Sequence, residues 1–570
     1  VNSGNFIWLR QRNAWPEFGH ELALNRRGVT FGLRHADKIL AGDTGWIYFG
    51  RNLMPSVAVT NPSKSRRFLQ KFTVLRSAPR ELWIIYLAYI LENLAYKVGA
   101  ASVLTLWLSS DLGFGDVQAG AMIATWSAIM TLVTVMIGSL TDALGVRRTF
   151  LLGFIICLFS RTVMALTVEK WVVLPLGLYL QALGIALMVP VMIAAVKKYS
   201  NAAQRSVAFA LYYALMNAGF AIGDWMFDYL RGPSGLGEHG SWMLPGFGTE
   251  LSTYRVLILI GAAFTVPGMI VVWLFLRDGV EMTEEGVRIT PRQAAKTGKN
   301  FLETLWTSGR QTAVKTVEIF AGLWKQKSFY RFLAFMTLVV GVRMIYYQLY
   351  YTFPKYGIRE LGEGAPVGRL SGVLNEVLIL VLVPICGVLT QKVSAYRMVM
   401  VGSLISALSV FFVALPLAWF KPLADGWLGN WVGHHWLGVQ GAVSPLYISI
   451  FLFIVMLSVG EAIWSPRLYE YSAAIAPKGQ EASYMALSML PYFLAKFLVG
   501  GSSGWLLKEF CPETGPRHPQ VMWFIIGCMA LVTPVGAFLF RKYIQVQESG
   551  REPVVGRSEA AVKAEEDTRE

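Results

Sequence analysis

Charge, cysteine and histidine are all scarce in this chain, and each scarcity removes a class of function. Only 15% of the 570 residues are charged, against about 25% in an average soluble domain, so an ordinary water-soluble globule is excluded. The four cysteines, Cys157, Cys386, Cys511 and Cys528, show no paired spacing, and neither a disulfide framework nor a thiolate metal site is expected. Six histidines, with His434 and His435 the only adjacent pair, argue against a buried metal centre. No G-x-x-x-x-G-K-[ST] run occurs, which disfavours work driven by ATP, and no nucleophile and base arrangement marks an enzyme. No cofactor and no metal are expected. The formal charge of +15 would suggest nucleic acid in a soluble protein, but Lys and Arg gather in loops between apolar runs, where they report membrane topology instead.

What the chain has in quantity is apolar length. Hydrophobic residues make up 54% of it, the mean hydropathy is +0.47, and they cluster in runs of about 20, the length a helix needs to cross a hydrocarbon core. Twelve candidate spans begin near Leu82, Val117, Thr149, Trp171, Ser206, Val256, Arg331, Leu370, Tyr396, Tyr447, Ala482 and Gln520. Basic residues precede span one (Lys64, Arg66, Arg67, Lys71) and follow spans two (Arg147, Arg148), four (Lys197, Lys198, Arg205), eight (Lys392, Arg397) and twelve (Arg541, Lys542). These loops, and both termini, are expected in the cytoplasm, with the chain in a plasma membrane of the bacterial inner-membrane kind.

The expected organisation is an extension over 1–81, a six-helix bundle over 82–276, a basic linker over 277–330, a second six-helix bundle over 331–542 and a charged, disordered tail over 543–570. Within the linker Leu302, Leu305, Trp306, Val317, Phe320, Ala321 and Trp324 recur at helical spacing, which suggests interfacial helices. No Met precedes Met54 and residues 1–53 are irregular in pattern, so translation is expected to start at Met54. Mass spectrometry of the native N-terminus tests that.

Two sets of residues carry a resemblance. Gly138-Ser139-Leu140-Thr141-Asp142-Ala143-Leu144-Gly145-Val146-Arg147-Arg148, between spans two and three, is similar to the G-x-x-x-D-x-x-G-x-R-R loop of major facilitators, a family of twelve-helix transporters. Its glycines permit a tight turn and close helix approach, and Asp142 is placed to cap a helix or pair with an Arg as a conformational latch. Gly460-Glu461-Ala462-Ile463-Trp464-Ser465-Pro466, Glu470-Tyr471 and Ala476-Pro477-Lys478 resemble span ten of the proton-dependent oligopeptide transporters. Tyr212-Tyr213-Ala214-Leu215-Met216-Asn217-Ala218-Gly219 resembles their F-Y-x-x-I-N-x-G motif, and Pro190, Asn375 and Pro384 fit the same pattern. The resemblance implies an all-α membrane protein of two pseudo-symmetric six-helix bundles. It also implies proton-coupled symport of short peptides or peptide-like solutes by alternating access, with protons, a small solute and the bilayer as partners, and a monomer. The chain departs from that family where E-x-x-E-R is expected, reading Tyr89-Ile90-Leu91-Glu92-Asn93, and where a lysine is expected before Pro190, reading Val189. Peptide-backbone recognition therefore competes with transport of another small organic solute, in either direction, and with a non-transporting sensor or assembly partner.

Ionisable residues inside apolar runs cost about 2.5 kcal/mol or more unless they face a cavity or a partner. Glu92 lies near the middle of span one, on one helix face with Tyr89 and Tyr96, with Lys97 well off that face. It reads either as a proton carrier or as a carboxylate permanently bonded to a neighbouring helix. By the resemblance Glu461 is the second proton-coupling carboxylate, and Lys496 in span eleven is expected to pair with it. Tyr89, Asn93, Tyr96, Lys97, Arg161, Asn217, Arg343, Gln348, Asn375, Glu376 and Lys496 make up the expected substrate cavity. The run Tyr346, Tyr347, Tyr350 and Tyr351 lines either that cavity or, as the leading expectation, an interfacial belt.

Overall fold

A computed structural model describes residues 73–136, 145–246, 248–283, 286–289, 327–390, 393–475 and 490–544, with the isolated positions Arg310 and Val314. Among them run twelve long helices: α1 Arg80–Tyr96, α2 Asp116–Met136, α3 Val146–Leu166, α4 Leu180–Lys198, α5 Ala202–Arg231 and α6 Thr253–Phe275, then α7 Lys327–Tyr351, α8 Leu374–Leu389, α9 Ala395–Ala414, α10 Pro445–Ile475, α11 Leu490–Phe510 and α12 Pro519–Leu539. Ten are long and apolar enough to cross a membrane by length and composition. The other two, α1 and α11, carry Glu92 and Lys496 respectively within the span. Two short antiparallel hairpins, Ser241–Leu244 with Thr249–Ser252 and Val280–Thr283 with Gly286–Ile289, depart from the expected all-α class; the protein is a mostly helical membrane protein.

Local sequence fixes the helix ends. Asn201 and Gln204 form a reciprocal capping box at the start of α5, each side chain accepting the other's backbone N–H. Ser252 and Ser394 accept the N–H of Arg255 and Arg397 to cap α6 and α9. Prolines sit inside α4 (Pro190), α6 (Pro267), α8 (Pro384), α10 (Pro466) and α12 (Pro534), which an isolated helix would not tolerate but neighbouring spans can. Three spans contain a wide i→i+5 turn: Lys97–Ala101 after α1, Val173–Tyr179 before α4 and Arg369–Val373 before α8. Such turns gather at functional sites.

The packing repeats with an offset of six helices. Helix α1 packs on α5 and α6, α3 on α4 and α6, and α2 on α4; correspondingly α7 packs on α11 and α12, α9 on α10 and α12, and α8 on α10. The two halves, α1–α6 and α7–α12, meet through α2 against α11 and α5 against α8, contacts that the same pseudo-two-fold exchanges. The outer surface is apolar: Leu132, Trp273, Leu389, Leu408, Phe524 and Leu539 are exposed, as side chains facing lipid tails should be, while charged residues are drawn inside. Of the extra-membranous segments expected from the sequence, the extension through Phe72, most of the linker and the tail from residue 545 lie outside the described residues.

Candidate transport site

The sequence-derived candidates fall into three places. The end of the molecule where α1 begins is termed the near end, and the opposite end the far end.

The first place is inside the first half. Arg161 of α3 is fully buried and grips both oxygens of Glu92 on α1, with Nη2 2.7 Å from Oε1 and Nη1 3.2 Å from Oε2. Its Nη1 also donates to the hydroxyl of Thr265 on α6. A fork-on-carboxylate arrangement is the strongest geometry such a pair can adopt, and here it ties three helices of one half together. Beside it, Tyr89 stacks on Tyr212 of α5 with ring centroids 4.2 Å apart. The amide of Asn93 is spent on the Tyr89 carbonyl at 2.7 Å, and that of Asn217 on the Tyr213 carbonyl at 2.8 Å. The α5 motif has a packing logic: a Cβ on Gly219 would lie 3.1 Å from the Asn93 Cβ, so the glycine lets α1 and α5 close on each other.

The second place is the seam between the halves. The wide turn after α1 swings Lys97 and Ser102, five residues apart, toward Asp224 of α5. Lys97 Nζ lies 3.0 Å from Asp224 Oδ2, and the Ser102 hydroxyl donates to Oδ1 at 3.3 Å. The ammonium also sits 4.2 Å above the Tyr350 ring of α7. These groups line a small cavity together with Tyr346, Leu349, Ser371, Gly372, Asn375 and Glu376 of the second half, enclosing about 20 Å³, room for roughly one water-sized group. A Cβ on Gly372 would overlap the Asp224 carboxylate, so only glycine lets the two halves meet there. Tyr346 and Tyr350 thus line the cavity and Tyr351 is buried, in place of the interfacial belt that was the leading expectation.

The third place is the interior of the second half. Asn375 donates to Ser458 at 2.9 Å and to Glu461 Oε2 at 3.2 Å, joining α8 to α10. The Arg343 guanidinium lies over the Trp464 ring at 4.3 Å, and it is the cation acting on Glu461. The expected pair between Glu461 and Lys496 is not made. Lys496 Nζ instead faces the rings of Trp126 and Tyr347, at 5.9 and 5.4 Å. The reason is helix placement: α11 packs across the seam on α2 and against α7, whereas Glu461 looks toward α8. Gln348 is fully buried and its side-chain oxygen accepts from Thr352 within α7, away from the cavity lining.

Above the cavity the far end is shut. Asp116, at the start of α2, receives Lys355 Nζ at 2.7 Å and Arg359 Nη1 at 3.0 Å from the short helix Phe353–Leu361 of the other half. Burial pushes the Lys355 ammonium below its ordinary range, with Asp116 pulling the other way. Asp228 of α5 accepts the backbone N–H groups of Gly368 and Arg369 at 2.8 and 2.5 Å. One half thereby caps the start of a helical run in the other. Helices α2 and α11 touch backbone to backbone, since a Cβ on Gly120 would fall 2.6 Å from the Gly500 carbonyl.

A family model described as Major Facilitator Superfamily matches residues 85–433, more than half of the chain. The chain belongs to the major facilitator superfamily. It is therefore a membrane transporter and not an enzyme. Among solved structures, this facilitator is similar to a POT family transporter in complex with 5-aminolevulinic acid, at 16% identity over 82% of this chain and 97% of that one, with a TM-score of 0.58. It is similar to a POT family transporter bound to a thioalcohol-conjugated peptide (16%, 82% and 97%, TM-score 0.59). A third likeness is to the peptide transporter POT in complex with sulfate (17%, 83% and 98%, TM-score 0.58). At such identities these likenesses establish the fold. No curated protein matches the chain in sequence.

Of the facilitator's gating loop, Gly138 and Asp142 lie outside the described residues. Gly145 has φ +81°, a conformation that favours glycine. Arg147 donates to the Trp273 carbonyl at 2.5 Å and lies 4.0 Å from Asp278, fastening the start of α3 to the end of α6. Arg148 is exposed. Sequence reasoning missed Asp224 and Asp228, two carboxylates inside an apolar span; their cost in a bilayer was the available signal.

Proposed function

We propose that this facilitator is a proton-coupled secondary transporter that moves a short peptide or peptide-like solute by alternating access, with its far end at the external face. The observation that carries the reading is the seam cavity. Lys97, Asp224, Asn375 and Glu376, drawn from both halves, meet near mid-span, where charge is tolerated only around a polar path. The ion pairs Asp116 to Lys355 and Arg359, and Asp228 to Arg369, close the far end over it, as an inward-directed conformation requires. The basic residues Arg147, Arg148, Lys197, Lys198, Arg397, Arg541 and Lys542 flank helix ends at the near end, which the positive-inside rule assigns to the cytoplasm. Glu461, bonded to Asn375 beside Arg343, is the carboxylate that would couple protonation to rocking. Glu92, with both oxygens held by Arg161, would instead brace the first half.

The test is flux. Proteoliposomes with an inward proton gradient are expected to accumulate labelled Ala-Ala, with accumulation lost on collapsing the gradient and in Glu461→Gln. Uptake indifferent to the gradient would sink proton coupling, and no uptake of any di- or tripeptide would sink the peptide reading. The second reading, a non-peptide organic solute, draws on two positions. The amide of Asn93 is consumed by its own helix, and Val189 stands exposed on α4.

A further inference from the structure

Glu376 stands apart from every other carboxylate in the seam. It lies in the first turn of α8, is only 4% exposed, and lines the cavity. Among the described residues it has neither a hydrogen-bond nor an ion-pair partner, although Lys97 acts on it through space. Asp224 has Lys97 and Ser102, Glu461 has Asn375, and Glu92 has Arg161. A buried carboxylate left unmatched is expensive, and the positive end of the α8 dipole offsets only part of that cost.

The local charge count gives the same answer. Counted in their ionised forms, Lys97 brings one positive charge to this wall and Asp224 and Glu376 one negative charge each, so one bound cation would balance the wall with both carboxylates ionised. The space has the size of one water-like group, which is also the size of an ammonium head. The flanking Tyr346 and Tyr350 rings suit an organic cation better than a hard metal ion, which asks for six or more oxygens.

We propose that Glu376 is the seat for the protonated amine of the transported solute, and that this facilitator selects solutes bearing an ammonium group. The proposal rests on the transporter reading and on the seam cavity being the solute site; it does not require the solute to be a peptide. Lys97 and Asp224 are paired with each other, and Glu376 lines the same cavity. The solute's ammonium then completes an arrangement of two cations and two carboxylates.

The experiment is ligand-induced thermal stabilisation of the purified full-length protein at pH 7. The probes are n-butylamine against n-butanol, and Ala-Ala against N-acetyl-Ala-Ala, with sodium chloride read against buffer without added salt as the metal-ion arm. Butylamine and Ala-Ala are expected to stabilise the wild type, and their apparent affinity is expected to fall at least about tenfold in Glu376→Gln, the loss of one charge-assisted hydrogen bond. Glu376→Asp, which keeps the charge, should lose less, and Asp425→Asn in an exposed loop should lose nothing. The unliganded melting temperature shows that each variant is folded. Stabilisation by butylamine alone would keep the ammonium seat while ending the peptide reading. The proposal is overturned if N-acetyl-Ala-Ala or butanol stabilises as well as its amine counterpart, if sodium does so where amines do not, if no amine stabilises the wild type, or if Glu376→Gln keeps the wild-type affinity.

Discussion

Two buried ion pairs hang from one helical run, five residues apart, and they are built for different tasks. Glu92 is clasped by Arg161 with both oxygens used, inside a single half, where no rocking motion has to break it. Lys97 meets Asp224 on the face turned to the other half, beside an unmatched Glu376 and against Gly372 of the wide turn that leads into α8. Under the transporter reading proposed above, the difference would separate scaffold from switch: the carboxylate inside one half has its oxygens matched, and the seam keeps one carboxylate, Glu376, without a partner. Ordinary helical spacing already turns Lys97 well off the Glu92 face, and the wide turn Lys97–Ala101 then brings Ser102 to the same carboxylate as Lys97.

The sharpest way to break the comparison is to remove one partner from each pair. Arg161→Met leaves the buried Glu92 without the guanidinium that holds both its oxygens, and a melting-temperature loss equivalent to about 3–5 kcal/mol is expected. The double variant Arg161→Met with Glu92→Gln should recover most of it. Lys97→Met should cost clearly less stability, because Asp224 keeps Ser102 and borders a cavity that can admit water, yet it should abolish flux. Equal stability losses for Arg161→Met and Lys97→Met would erase the distinction between scaffold and seam.

A smaller effect is expected at the contact between the halves. Gly372→Ala places a methyl against the Asp224 carboxylate, so the far end should close less fully while each half remains folded. Spin labels at exposed Ser110 and Thr514, on opposite halves of the far end, should report a longer mean separation, with flux reduced about tenfold. An unchanged separation would mean that the seam does not tighten through this glycine.

Sequence and structure part company at particular residues, for physical reasons. Glu92, Lys97, Arg161, Glu461 and Lys496 were conspicuous as charges in apolar runs, and ten of the twelve expected spans are helices long and apolar enough to cross a membrane, α1 and α11 falling short. The partners of those charges were not legible. Helical spacing could not foresee a turn of different pitch over Lys97–Ala101, so the convergence of Lys97 and Ser102 on Asp224 was hidden. Opposite charges on consecutive helices suggested that Glu461 and Lys496 pair, but chain order does not say that α11 packs across the seam on α2. Asp224 and Asp228 follow closely on the α5 motif that ends at Gly219; their burial cost was readable in the sequence, while the residues of the second half that they meet, Gly372 for Asp224 and Gly368 and Arg369 for Asp228, are distant in the chain.

The mildest expected effect sharpens the comparison at its edge, in the far-end closure outside the spans. Lys355 is held by Asp116, with Arg359 repelling it and Glu513 adding a weak attraction, and burial outweighs the attractions, so its ammonium is less favoured in the closed form than in water. An open form that exposes Lys355 restores an ordinary value of about 10.4. Between the lowered value and the ordinary one, the closed form binds fewer protons than the open form, so raising the pH through that window favours closure. The separation of the Ser110 and Thr514 labels should therefore shorten modestly on going to alkaline pH. Lys355→Met should remove that dependence while leaving Arg359 to hold Asp116. A dependence of the opposite sign would mean that Asp116 stabilises the ammonium more than burial penalises it, and that the far end, like the Glu92 pair, is a saturated contact and not a yielding one.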